Sequence, residues 1–163
     1  MARHNLADEV AEINLAAVTL AQRVVAGSFK DVMIAGDAGP LGVPLAPFGR
    51  VQPEEACEIY KEQIAALVDA GTDVLLIETM TDLYMVREAI TAARTVAPDL
   101  PIIASMTFTR DGRTLLGDLP LKVATSLHEY CADVIGVNCT GGPLQLLQIL
   151  RRLLCGWRPQ PES

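Results

Sequence analysis

Apolar side chains return every three or four residues near the start of the chain, at Val10, Ile13, Ala17, Leu20, Ala21 and Val24. That spacing lines one face of a helix and predicts an α-helix over about residues 6–26, closed by Gly27. The pattern then changes. The run VMIAG from Val32 is short and continuously apolar, which predicts a strand, and Gly and Pro crowd residues 37–52, which predicts a long loop. Pro53 opens a second helix to about Ala70, with Ile59, Ile64, Leu67 and Val68 on its buried side and Gly71 as its stop. From there strand and helix signals take turns. DVLLIE, PIIASMTF and DVIGVN predict strands; DLYMVREAITAARTV, LKVATSLHEYCA and residues 144–154 predict helices.

The predicted strands are unbroken apolar runs, the pattern of parallel strands covered on both faces, so the fold class is α/β. Each is followed by a helix, and this repeated βα unit suits either a partial (β/α)8 barrel or an open doubly wound sheet. No internal repeat, low-complexity tract or linker divides residues 1–163, which read as one domain.

Composition narrows the function. Half the residues are hydrophobic, enough for a sizeable core. The formal net charge is −7 without a Lys/Arg cluster, which argues against nucleic acid as a partner. No uncharged apolar run is long enough to span a bilayer and the start carries no secretory signal pattern, so a cytoplasmic location is expected. The cysteines at 57, 131, 139 and 155 include no CxxC pair and are expected to be free thiols.

In both candidate architectures reactive side chains gather at the carboxyl ends of parallel strands. Those ends carry Gly36-Asp37, Glu78-Thr79, Ser105 to Thr107 and Asn138-Cys139. Each has a plain structural reading: Glu78 as a helix cap, Ser105 and Thr107 as partners of backbone groups, Asn138 as a turn former, Cys139 as core filler. Their coincidence at consecutive strand ends favours a site.

The segments VMIAGDAGPLG, LLIETMTDLYMVREAITAAR, PIIASMTFTRDGRTLLG and VIGVNCTGGP resemble, in order and spacing, the homocysteine S-methyltransferase family over about residues 5–149. The resemblance implies an eight-stranded (βα) barrel, a homocysteine acceptor with a methyl donor, methionine as product, and a zinc ion held by three cysteines. It implies that Glu78 of the ETM motif binds the homocysteine amino group, that Asn138 and Ser105 line the same pocket, and that Cys139 of the NC motif is the first zinc ligand. Zinc suits this chemistry because only the thiolate attacks a methyl donor well, and a thiol of pKa about 8.5 is mostly protonated at neutral pH.

The chain departs from the family pattern. The opening strand with its Asp-Gly motif, the second strand and the late adjacent Cys-Cys pair are missing. Cys155 is expected ~15–18 Å from Cys139 along a helix. Cys131 is expected roughly a 20 Å strand length away. Cys57 should pack outside the barrel, and His4 and His128 should be surface or packing residues. The sequence therefore reads as an incomplete barrel of about four strands, a middle segment of a methyltransferase. It is expected to hold zinc weakly or not at all, to be inactive alone, and to self-associate through exposed sheet edges. The other readings are a non-catalytic fragment and a doubly wound small-molecule binder.

Overall fold

The computed structural model describes residues 6–28 and 30–155. His4 and the polar tail over 156–163 lie outside the described residues. A turn of 3-10 helix, Ala7–Glu9, leads into α1 (Val10–Ala26). Then follow β1 (Ala35–Ala38), α2 (Pro53–Asp69), β2 (Val74–Met80), α3 (Leu83–Val96), β3 (Ile102–Met106), α4 (Pro120–Glu129), β4 (Val134–Val137) and α5 (Pro143–Leu154). The strands form one parallel sheet in the order β1-β2-β3-β4. A doubly wound sheet would set the first strand between later ones; sequential winding is the barrel's topology and removes that alternative.

Local chemistry sets these boundaries. Proline in the first turn opens α2, α4 and α5, where its missing N–H costs nothing. α3 begins differently: the Asp82 side chain accepts from the Met85 N–H at 2.9 Å, a cap worth about 1 kcal/mol. Asp82 thus takes the capping role open to Glu78. Two aspartates then fix strand register in the same manner. Asp73, just before β2, accepts from the Ile34 N–H at 2.7 Å, and Asp133, just before β4, accepts from the Ile102 N–H at 2.7 Å. Arg94 holds Asp133 in place at 2.7 Å and also donates to the carbonyls of Cys131, Pro98 and Leu100.

The core lies between the sheet and its helices. Leu75, Ile77, Ile102, Ala104 and Met106 face Tyr60 and Ile64 of α2, Val86 and Ile90 of α3, Val123 and Leu127 of α4, and Ile149 and Leu153 of α5. The opposite face is open: Leu76 and Ile103 are half-buried and Val134 is 51% exposed. Unbroken apolar strands predict cover on both faces, and here the helices supply one. In a barrel the second cover comes from strands across the axis.

Three sequence expectations shift. The first strand starts at Ala35, not Val32, because β1 pairs with β2 from Ala35↔Val74 onward; Val32 and Met33 stay exposed. Ile59 is exposed, since α2 buries the stripe Ala56, Tyr60, Ile64 and Leu67 and leaves Ile59 on its flank. α1 buries Val18 against Leu67 and Ala70, but Ala17, Leu20 and Val24 are exposed, because α1 packs chiefly on α2. No helix among the described residues is long and apolar enough to cross a membrane. β1 and β4 are the two edges of the sheet.

Candidate functional site

Asn138 follows β4 directly, yet its side chain reaches past the end of β3 to β2. Its amide nitrogen donates to Glu78 Oε2 at 2.7 Å and to Thr79 Oγ1 at 2.8 Å, while its amide oxygen accepts from the Thr79 N–H at 3.1 Å. The carbonyl of Asn138 accepts from Thr107 Oγ1 at 3.1 Å and Thr140 Oγ1 at 3.0 Å. The Thr140 hydroxyl in turn accepts from the Phe108 N–H at 2.8 Å. The carboxyl ends of β2, β3 and β4 are thereby tied through one asparagine.

The network holds two residues in a conformation they seldom adopt. Thr79 has φ 57° and Cys139 φ 53°, both left-handed, and for a β-branched threonine that is a strained position. The bonds from Asn138 to Thr79 offset the strain. Cys139 is exposed, and its Sγ lies 3.7 Å from both Thr79 Oγ1 and Asn138 Nδ2, within reach of two polar donors.

On the open face below this network, polar groups cross the sheet side by side. Gly36 packs toward the helices, where an added Cβ would meet Thr72 and Leu67, so its neighbour Asp37 points to the open face. Glu78 lies on that face of β2, Ser105 on β3 and Gly136 on β4, with Ser105 paired to Gly136 in register. A Cβ at Gly136 would fall 2.4 Å from Ser105 Oγ, so the serine hydroxyl occupies the space that the glycine leaves. Partial burial, helped by the charge of Glu78, pushes the Asp37 carboxyl above its ordinary range, against a lowering hydrogen bond from the Ala38 backbone.

Glu78, Asn138 and Cys139 are thus brought together, with Ser105 on the same face. Cys57 is buried in the core and does not join them. Cys131 is exposed just before β4, at the other end of that strand, Cys155 caps the far end of α5, and His128 is half-buried in α4. Zinc was implied by resemblance, and the donor set does not fit it. A catalytic zinc takes three protein ligands, whereas Cys139 has a hydroxyl and an amide as neighbours, and no three His, Cys, Asp or Glu among the described residues are grouped to hold an ion. Sequence reasoning gave no part to Gly136, Thr140 or the strained backbone of Thr79. Only Gly136 carried a signal, since glycine inside a strand marks a close approach.

Comparison with known proteins bears on the family and the fold. A family model described as homocysteine S-methyltransferase matches residues 1–162. The chain is 26% identical over 157 residues to a methionine synthase of Mycobacterium tuberculosis and 25% identical over 157 residues to one of Mycobacterium leprae. Each match covers 92% of this chain but 13% of the relative's length. The apo crystal structure of the homocysteine methyltransferase MmuM from Escherichia coli superposes with a TM-score of 0.77 at 20% identity, covering 90% of this chain and 56% of that one. At that identity the superposition establishes the shared fold.

Proposed function

Because the chain belongs to the homocysteine S-methyltransferase family, we propose that the carboxyl ends of β2, β3 and β4 form the homocysteine-binding part of a methyltransferase site. The observation that carries this reading is the 2.7 Å bond from Asn138 to Glu78, made by the same amide nitrogen that lies 3.7 Å from the Cys139 sulfur. A carboxylate suited to an ammonium group and a thiol therefore share one positioning residue. Homocysteine carries an ammonium and a thiol on one short chain.

Glu78 takes the ammonium group through a charge-assisted hydrogen bond. Asn138 holds the Glu78 carboxylate in place, so that less ordering is left to be done on binding. Ser105 lies on the same face of the neighbouring strand with its hydroxyl over Gly136, and Cys139 stands at the strand tip toward the substrate sulfur. Zinc would supply a thiolate on that sulfur. The described donors do not complete its site, so the activity assigned to this chain is homocysteine binding. Methyl transfer to give methionine belongs to an assembly with a full ligand set.

Isothermal titration with homocysteine under reducing conditions tests the reading. The unaltered chain binds, and Glu78→Gln and Asn138→Ala weaken the binding. Equal affinity in all three proteins would remove Glu78 from the site and the reading with it.

A further inference from the structure

A cavity of about 300 Å3 opens on the outside of the helical layer, between α3 and α4, and none of the strand-end residues lines it. Tyr84 and Arg87 come from α3, Lys122 and Ser126 from α4, and Tyr130 from just beyond it. Two loops complete the lining: the one from β1 to α2 brings Phe48, and the one from β3 to α4 brings Leu116 and Asp118.

Part of this lining is apolar and uncovered. The Phe48 ring packs on Tyr84 with centroids 6.0 Å apart and planes tilted by 60°, yet Phe48 stays 60% exposed, Tyr84 41% and Leu116 37%. None of the three belongs to the core, and none joins the network around Asn138. Rings held side by side at the rim of a cavity offer flat apolar area to a further ring.

The rest is rich in donors. Arg87 bonds to Glu88 through Nε at 2.8 Å, which leaves both of its Nη groups without a hydrogen bond among the described residues. Lys122, by contrast, is held by Asp118. Both cations lie within electrostatic reach of the Tyr84 and Tyr130 hydroxyls. Ser126 is 8% exposed and lines the cavity, and its hydroxyl bonds to no other side chain among the described residues.

We propose that this cavity binds a small aromatic carboxylate, with its ring against Phe48, Tyr84 and Leu116 and its carboxylate on the free Nη groups of Arg87. The volume stands at the lower end of small-molecule sites, with room for one ring and a short chain and too little for a nucleotide or a peptide. The charge points the same way. A planar guanidinium with two free Nη groups matches a carboxylate in two parallel bonds, whereas a cationic ligand would be set against Arg87 and Lys122. A neutral ring would leave the Nη groups unused. The site is separate from the strand ends, and its assignment does not rest on the homocysteine reading.

Titration of 3-phenylpropanoate into the isotope-labelled full chain, followed by backbone amide shifts in two-dimensional NMR spectra, tests the proposal. The amides of Phe48, Tyr84, Leu116 and Ser126 shift and saturate, and those of Glu78 and Asn138 stay in place. 3-Phenylpropanamide keeps the shape without the charge, hexanoate keeps the charge without the ring, and each binds about tenfold more weakly. Arg87→Gln lowers the affinity for 3-phenylpropanoate to that for the amide and leaves amide binding unchanged, while Phe48→Ala weakens both aromatic ligands alike. Spectra of Arg87→Gln that match the unaltered chain away from the cavity show that the loss is not unfolding. Absence of a saturable shift at the cavity residues overturns the site, as does movement of the strand-end amides in their place. An amide or a hexanoate that binds as tightly as 3-phenylpropanoate, or an Arg87→Gln protein that binds 3-phenylpropanoate as the unaltered chain does, overturns the assigned ligand class.

Discussion

Asn138 and Glu78 stand sixty residues apart in the sequence and 2.7 Å apart in space, joined across the end of the strand that separates them. This bond, with those to Thr79, pins the top of β2 to the top of β4. Truncation of the side chain should cost about 1–3 kcal/mol, because it leaves the Thr79 N–H and the Glu78 carboxylate without their partner. Asn138→Ala is therefore expected to lower the denaturant midpoint. Asn138→Asp should lower it further at neutral pH by setting a second carboxylate against Glu78, and should recover in acid, where the two can share a proton. An unchanged midpoint in both variants would show that the network is not structural.

The contact between Ser105 and Gly136 makes a separate claim about packing. Gly136→Ala drives a methyl group to within 2.4 Å of the serine hydroxyl and is expected to destabilise by about 1–3 kcal/mol. The Ser105 Cβ would be 3.6 Å from the new methyl, an ordinary contact, so Ser105→Ala should relieve most of the strain. A double-mutant cycle by urea denaturation measures the coupling. Additive costs would mean that the hydroxyl does not fill the space above the glycine.

How much of this was legible beforehand follows from what a linear pattern encodes. Helices α2 to α5 and the strand order followed from periodicity and from the winding rule for βα units. The start of β1 was not legible, since it depends on where Asp73 accepts from the Ile34 N–H and on pairing with Val74. The open flanks of α1 and α2 were misread because an apolar stripe does not say how much of it a neighbour covers. Glu78, Asn138 and Cys139 could be placed at the same end of the sheet from strand polarity. Their bonds could not, because Asn138 reaches across β3 only through the left-handed turns at Thr79 and Cys139, residues that give no sign of it in sequence.

Asp37 should cost stability at neutral pH. Burial and the Glu78 charge raise its carboxyl above the ordinary value, so the folded state favours the protonated form more than the unfolded state does. The contribution to stability is then fully present below the unfolded pKa and is lost as pH rises through the raised folded value. Asp37→Asn is expected to melt higher than the unaltered chain at neutral pH, with a gain under about 1 kcal/mol after solvent screening. The gain should vanish in acid, below the ordinary carboxylate range. Thermal melts at several pH values check the sign, and a variant less stable at neutral pH would contradict it.

Metal content is where the donor set makes its firmest demand. Cys139 offers one thiolate, flanked by the Thr79 hydroxyl and the Asn138 amide, both weak ligands for zinc beside sulfur or imidazole. Purified chain equilibrated with zinc at neutral pH and then desalted should retain well under one equivalent, and Cys139→Ala should change that little. Without the ion a bound homocysteine thiol keeps close to its ordinary pKa of about 8.5, leaving only a small thiolate fraction at neutral pH. Binding through Glu78 can persist under these conditions, because a carboxylate grips an ammonium whether or not the sulfur is ionised. Methionine formation from homocysteine and the family's methyl donors should therefore stay at background in the same samples that show homocysteine binding by titration. Stoichiometric zinc that disappears in Cys139→Ala, together with turnover, would show that groups beyond the described residues complete the site and that the chain is a methyltransferase by itself.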